Sequence, residues 1–185
     1  MVSAGDGNDT LNGGDGDDFI FGGDTEADLR DVIFAGAGDD SVDGGHGNDQ
    51  IYGQDGNDTL SGGFGADELI GQTGDDVITG GAFSDLVFGN AGADRFYYLG
   101  IEGHGSDWVQ DYSAAEGDRL VYGGTGASAA DFQINYAQTS NAGGAAQEAF
   151  VIYGPTDQIL WALVDGAAQD EINLQIGGQV VDLMG

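Results

Sequence analysis

Residues 44–61 read Gly44-Gly45-His46-Gly47-Asn48-Asp49-Gln50-Ile51-Tyr52, then Gly53-Gln54-Asp55-Gly56-Asn57-Asp58-Thr59-Leu60-Ser61. Both lines follow one pattern, G-G-x-G-x-D-x-U-x, in which U is large and apolar. The same frame extends in both directions, from Ala4 to Tyr97, as ten consecutive units. The third unit, Gly22 to Phe34, carries a four-residue insertion. The sixth position is aspartate throughout: Asp9, Asp18, Asp31, Asp40, Asp49, Asp58, Asp67, Asp76, Asp85 and Asp94. The eighth is apolar throughout: Leu11, Ile20, Ile33, Val42, Ile51, Leu60, Leu69, Ile78, Val87 and Phe96. A period held over ten registers is the mark of a repeat architecture and is read before any single motif.

These units resemble the RTX, or haemolysin-type, calcium repeats of proteins exported by bacterial type I secretion. The resemblance covers about half of the chain. It implies an all-β fold, a parallel β-roll in which two nonapeptides make one turn, with a glycine-aspartate loop and a short strand on each side. It further implies a calcium-binding module that folds on calcium outside the cell and supports folding and export of a larger secreted protein.

The residue chemistry agrees. Glycine permits positive φ and leaves backbone carbonyls unobstructed. Aspartate adds a hard, charged oxygen, and calcium takes six to eight such oxygens at about 2.3–2.6 Å. Layers of a sheet repeat at about 4.7–4.9 Å, so carboxylates one layer apart are separated by about twice a calcium–oxygen bond. Loops on one side alternate, which pairs Asp31–Asp49, Asp40–Asp58, Asp49–Asp67, Asp58–Asp76, Asp67–Asp85 and Asp76–Asp94 at a spacing of 18 residues. Asp9–Asp31 and Asp18–Asp40 are 22 apart because of the insertion. The glycines expected beside the metal are Gly36, Gly38, Gly45, Gly47, Gly56, Gly63, Gly65, Gly74 and Gly92. About five to eight Ca2+ ions are expected from the number of paired loops. The weakest pairs are expected at Asp9–Asp31, where Leu29 replaces the fourth glycine, and at Asp67–Asp85, where Phe83 does.

Composition narrows the partners. Thirty-three acidic residues face three arginines, Arg30, Arg95 and Arg119, for a net charge of −30. Such a chain repels nucleic acid and anionic membrane and gathers cations. An acidic, glycine-rich stretch is ordinarily a disordered linker. Ten phased apolar positions oppose that reading in calcium, whereas without calcium disorder is the expectation. There are no cysteines, so no disulfide supports the core. Residues 1–20 lack the basic and apolar regions of a cleavable signal, and no apolar run approaches a membrane span. The chain reads as a piece of a longer secreted protein, with an upstream domain as one partner and a polysaccharide as another, the latter because alginate epimerase R-modules are similar.

Two further features are legible. The outward ninth positions of the odd units, Asn12, Phe34, Tyr52, Ile70 and Phe88, form an apolar column, either a ladder stiffening the sheet or a docking face. After Tyr97 the period ends, and residues 98–185 read as an antiparallel β cap with strands near 132–136, 150–153, 159–164, 172–176 and 180–184. Solenoid ends require such capping. Asp107, Asp111 and Asp118 resemble the segment that follows the roll in serralysin-type proteases, as an extra ion site or as structural turns. The resemblance also implies an export signal near Val180 to Gly185. No catalytic residues are expected: HExxH is absent, and Gly103-His104-Gly105-Ser106-Asp107 is too local to align a triad. His46 is expected to be solvent-exposed.

Overall fold

Each unit turns a loop at positions four to six and then straightens, because its seventh to ninth residues alternate out, in, out, as a half-buried strand requires. The computed structural model describes residues 1–101, 104–139, 147–164 and 166–185. All ten eighth-position side chains point inward and are at most 3% exposed.

The odd units feed one sheet: β2 (Thr10–Asp15), β4 (Val32–Ala37), β6 (Gln50–Asp55), β8 (Glu68–Thr73) and β10 (Leu86–Ala91). The even units feed the other: β3 (Phe19–Gly23), β5 (Ser41–Gly45), β7 (Thr59–Phe64), β9 (Val77–Ala82) and β11 (Arg95–Tyr98), with β1 (Val2–Ser3) on its outer edge. All neighbours within these two sets pair in parallel, for example Ile33↔Ile51 and Val42↔Leu60. The two sheets sandwich a single file of aliphatic residues, so the fold is an all-β parallel roll with antiparallel strands at its C-terminal end.

The end of the nonapeptide period is not the end of the coil. β12 (Asp107–Val109) pairs in parallel with β10, and β13 (Arg119–Tyr122) with β11. A further parallel layer follows: β16 (Gln158–Leu163) on β12 and β17 (Asn173–Ile176) on β13. Only then does antiparallel pairing take over, through β14 (Phe132–Ala137) and β15 (Glu148–Tyr153) in one sheet and β18 (Gln179–Asp182) in the other. The core widens here to take Tyr98, Leu120, Leu160, Trp161 and Leu174, all buried. Large side chains replace the small loop residues, so this end is held by apolar packing.

One sequence expectation changes. His46 is half-buried, not solvent-exposed, because its ring stacks on Phe64 one layer on, at a centroid distance of 4.8 Å. The strand expected near 180–184 is present at the sheet edge, where Asp182 Oδ1 accepts from the Ile172 and Met184 amides at 3.2 and 2.9 Å.

Candidate metal centre

The loops stack so closely that glycine is dictated by space. At Gly45, φ is 90°, and a Cβ would overlap the carbonyl oxygen of Gly23 in the neighbouring loop. Where the sequence departs from glycine, the backbone keeps its left-handed turn: φ is 82° at Gln54 and Gln72, 65° at Asn90 and 80° at Phe83. Such strain costs on the order of 1–2 kcal/mol per residue. Phe83 therefore leaves the course of its loop unchanged, with its ring largely in solvent.

The sixth-position aspartates form two ladders. In each step a backbone N–H donates to the Oδ1 of the aspartate one layer on: Asp31 to Asp49 at 2.8 Å, Asp49 to Asp67 at 2.7 Å, Asp40 to Asp58 at 2.8 Å and Asp58 to Asp76 at 2.8 Å. Asp67 to Asp85 and Asp76 to Asp94 follow, both at 2.9 Å. The insertion is absorbed without loss of the contact, since Asp9 donates to Asp31 at 2.8 Å and Asp18 to Asp40 at 2.7 Å.

The second oxygen is the telling one. Oδ2 of Asp31, Asp40, Asp49, Asp58, Asp67, Asp76, Asp85 and Asp94 is buried with no hydrogen-bond partner. Leaving a charged oxygen dry and unpaired costs several kcal/mol unless a cation or a proton meets it. Beside seven of these eight oxygens lies the first-position glycine of the unit, and in the unit of Asp40 that position is Ala35. A Cβ on Gly44 would sit 2.7 Å from Asp49 Oδ2 and 2.6 Å from the Gly62 carbonyl oxygen, and Gly53 and Gly62 repeat the arrangement one and two units on. Carboxylate and carbonyl oxygens converging in this way are the donor set of a hard divalent cation such as calcium. Among the described residues no three His, Cys, Asp or Glu side chains gather as a metal-binding cluster. Backbone carbonyls must therefore supply a share of any coordination, which is why this chemistry is spread along the roll.

Electrostatics point the same way. Burial pushes the carboxyls of Asp49, Asp67 and Asp76 up to about 7, with neighbouring aspartates adding to it. Burial likewise raises Asp58 and Asp94 to about 6. A metal-free roll thus holds protons where the calcium family would hold ions.

Both ladders run past the repeat. Register places Asp107 beside Asp85 and Asp118 beside Asp94, at spacings of 22 and 24 residues. The periodic reading missed them as ladder members, although Asp107-Trp108-Val109 and Asp118-Arg119-Leu120 keep the D-x-U core of the unit. Asp118 closes its ladder on protein donors: Oδ1 accepts from Asp94 N at 2.9 Å and Oδ2 from Ser113 N at 2.8 Å. Asp111 is equally satisfied by the Gly89 and Asn90 amides at 3.0 and 2.8 Å. These two residues are turn anchors. The Ser106 hydroxyl donates to the Ile159 carbonyl at 2.7 Å, and Asp107 is buried in the ladder, so the local Ser-His-Asp run is used for structure. Gly103 lies outside the described residues.

The chain is similar in structure to the AlgE6R3 subunit of the Azotobacter vinelandii mannuronan C5-epimerase, with 22% identity and a TM-score of 0.41 over 89% of this chain and 75% of that one. No curated protein matches the sequence. The RTX calcium-binding nonapeptide repeat family matches in four copies, over residues 1–25, 28–60, 52–87 and 70–100. With matched segments spanning more than half of its length, the chain belongs to the RTX calcium-binding repeat family.

Proposed function

We propose that this module folds on calcium after export and thereby completes a larger secreted protein, with no catalytic role of its own. The observation that carries the reading is the row of eight buried, unpartnered Asp Oδ2 atoms, seven of them facing a first-position glycine of the loop. The ligands are then Asp9, Asp18, Asp31, Asp40, Asp49, Asp58, Asp67, Asp76, Asp85 and Asp94, with carbonyls of the loop glycines completing each site. About five to eight ions are expected. Residues 4–97 carry 21 acids against Arg30 and Arg95, so bound cations relieve a repulsion that the narrow aliphatic core opposes only weakly. Residues 98–185 close the C-terminal end of the roll. Export by type I secretion and an upstream domain follow from the family resemblance; among the described residues no helix is long and apolar enough to cross a membrane. Far-UV circular dichroism during calcium titration tests the reading. At about pH 8, where the ladder carboxyls are charged, excess chelator should abolish the β signal and calcium restore it, and a well-folded roll in chelator at that pH with no retained metal would refute it.

A second reading, calcium-dependent polysaccharide binding, is favoured by one feature. A groove of about 760 Å³ runs beside Asp49, Asp67 and Asp85, lined also by Arg30, Glu68, Trp108 and Gln110. Arg30 Nη2 donates to Gln50 Oε1 at 3.4 Å and Gln50 Nε2 to Glu68 Oε2 at 2.6 Å, a polar ladder leading to an indole face. Aromatic and amide groups in a shallow groove suit sugar rings.

A further inference from the structure

One buried carboxylate stands outside the nonapeptide register. Asp28 lies in the four-residue insertion and is only 4% exposed. Its Oδ1 accepts from the Leu29 amide at 3.0 Å, while its Oδ2 is buried and unpartnered, like those of the ladder aspartates. A Cβ on Gly23 would overlap Asp28 Oδ2 and lie 2.7 Å from the Gly5 carbonyl oxygen. Asp28 Oδ2 and the Gly5 carbonyl thus share a cradle between the loops of the first and third units. Gly23 holds the second position of its unit, where glycines such as Gly45 face a carbonyl of the preceding layer; at Gly23 a carboxylate oxygen stands nearer than that carbonyl.

The segment is fixed in place by both neighbouring layers. The Asp28 amide donates to the Thr25 carbonyl and the Leu29 amide to the Gly7 carbonyl, each at 3.0 Å. The Leu29 carbonyl accepts from the Asn48 amide at 2.7 Å, and the Thr25 hydroxyl donates to Asp6. The charge on Asp28 also bears on Asp31 and Asp49, which places it within the ladder's own field. A dry carboxylate oxygen in such a place requires a counter-charge.

We propose that the insertion supplies an additional calcium ligand, Asp28, at a site shared with the Gly5 carbonyl between the first and third loops. The inference rests on the calcium reading of the ladders. It adds to the expectation that Asp9–Asp31 is a weak pair: the lengthened third unit brings an acid of its own where Leu29 stands in place of the fourth glycine.

Anomalous scattering from crystals of the unaltered chain grown in calcium decides the matter. A peak bonded to Asp28 Oδ2 supports the site. Peaks between Asp49 and Asp67 with none at Asp28 overturn it while leaving the ladder reading intact, and no peak anywhere overturns both. In solution, equilibrium dialysis should show Asp28→Asn binding one ion fewer than the unaltered chain with its β signal retained. An unchanged ion count in Asp28→Asn, alongside a lowered count in Asp58→Ala, would also overturn it.

Discussion

Asp58 works in two layers at once. Its Oδ1 receives the Asp40 amide and its own amide donates to Asp76 Oδ1, both at 2.8 Å. Asp58→Ala therefore removes one acceptor, leaves the Asp40 amide unpaired at a cost of about 1–3 kcal/mol, and strips a carboxylate from two adjacent cradles. It should lower the calcium count by two in equilibrium dialysis. Asp9→Ala, at the end of its ladder and only half-buried, should remove at most one. Equal losses from both changes would contradict the ladder. The raised carboxyls also set a pH dependence. Folded, Asp49, Asp67 and Asp76 protonate near 7 against an ordinary 3.8, so between those values the metal-free fold binds more protons than the unfolded chain. Its stability is accordingly greatest at the acid end and is lost as pH rises toward 7. In excess chelator, β ellipticity should grow as pH falls from 8 to about 5; a flat or opposite trend would show that the ladder carboxyls do not govern the metal-free state.

At the scale of the element, register matters more than composition. Phe34, Tyr52, Ile70 and Phe88 align directly across β4, β6, β8 and β10, and the Phe34 and Tyr52 rings stack at 5.0 Å with an interplanar angle of 8°. The equivalent column of the other sheet reads Phe21, Asp43, Ser61 and Thr79 in the same register, so the roll does not depend on an apolar column. Cross-strand pairs of this kind contribute roughly 0.2–1 kcal/mol each. Changing Tyr52 and Ile70 together to Ser should leave the calcium-induced β signal nearly unchanged and lower the urea midpoint by about 1 kcal/mol equivalent. Loss of folding in calcium would mean that the column is part of the core. The ladder pairs were legible at this scale because 18-residue spacing fixes them. β12 and β13 were not, since spacings of 22 and 24 conceal the same D-x-U element from a periodic reading.

For the whole molecule, the C-terminal half is continuous with the roll. Phe96 is 1% exposed because β12, β13, β16 and β17 stack above it, bringing Trp161 and Leu120 onto the core. Deleting residues 98–185 would strip β10 and β11 of their partners β12 and β13 and wet that core. The truncated chain should show weak β ellipticity even in saturating calcium, and full recovery would show those layers to be dispensable. The nonapeptide frame by itself determined the repeat architecture and the apolar file from Leu11 to Phe96, and its resemblance to the RTX repeats implied the all-β roll and with it the pairing of sixth-position aspartates. Tertiary structure decided the rest. It chose which carboxylate oxygens find protein donors, as at Asp111 and Asp118, and which stay dry, as at Asp28 and along the ladders. It also carried the coil past Tyr97, where parallel pairing joins residues more than 50 apart, such as Trp108 and Ala162. A carboxylate's partners and a strand's neighbour across such a distance depend on how layers stack in space, which spacing along the chain does not encode.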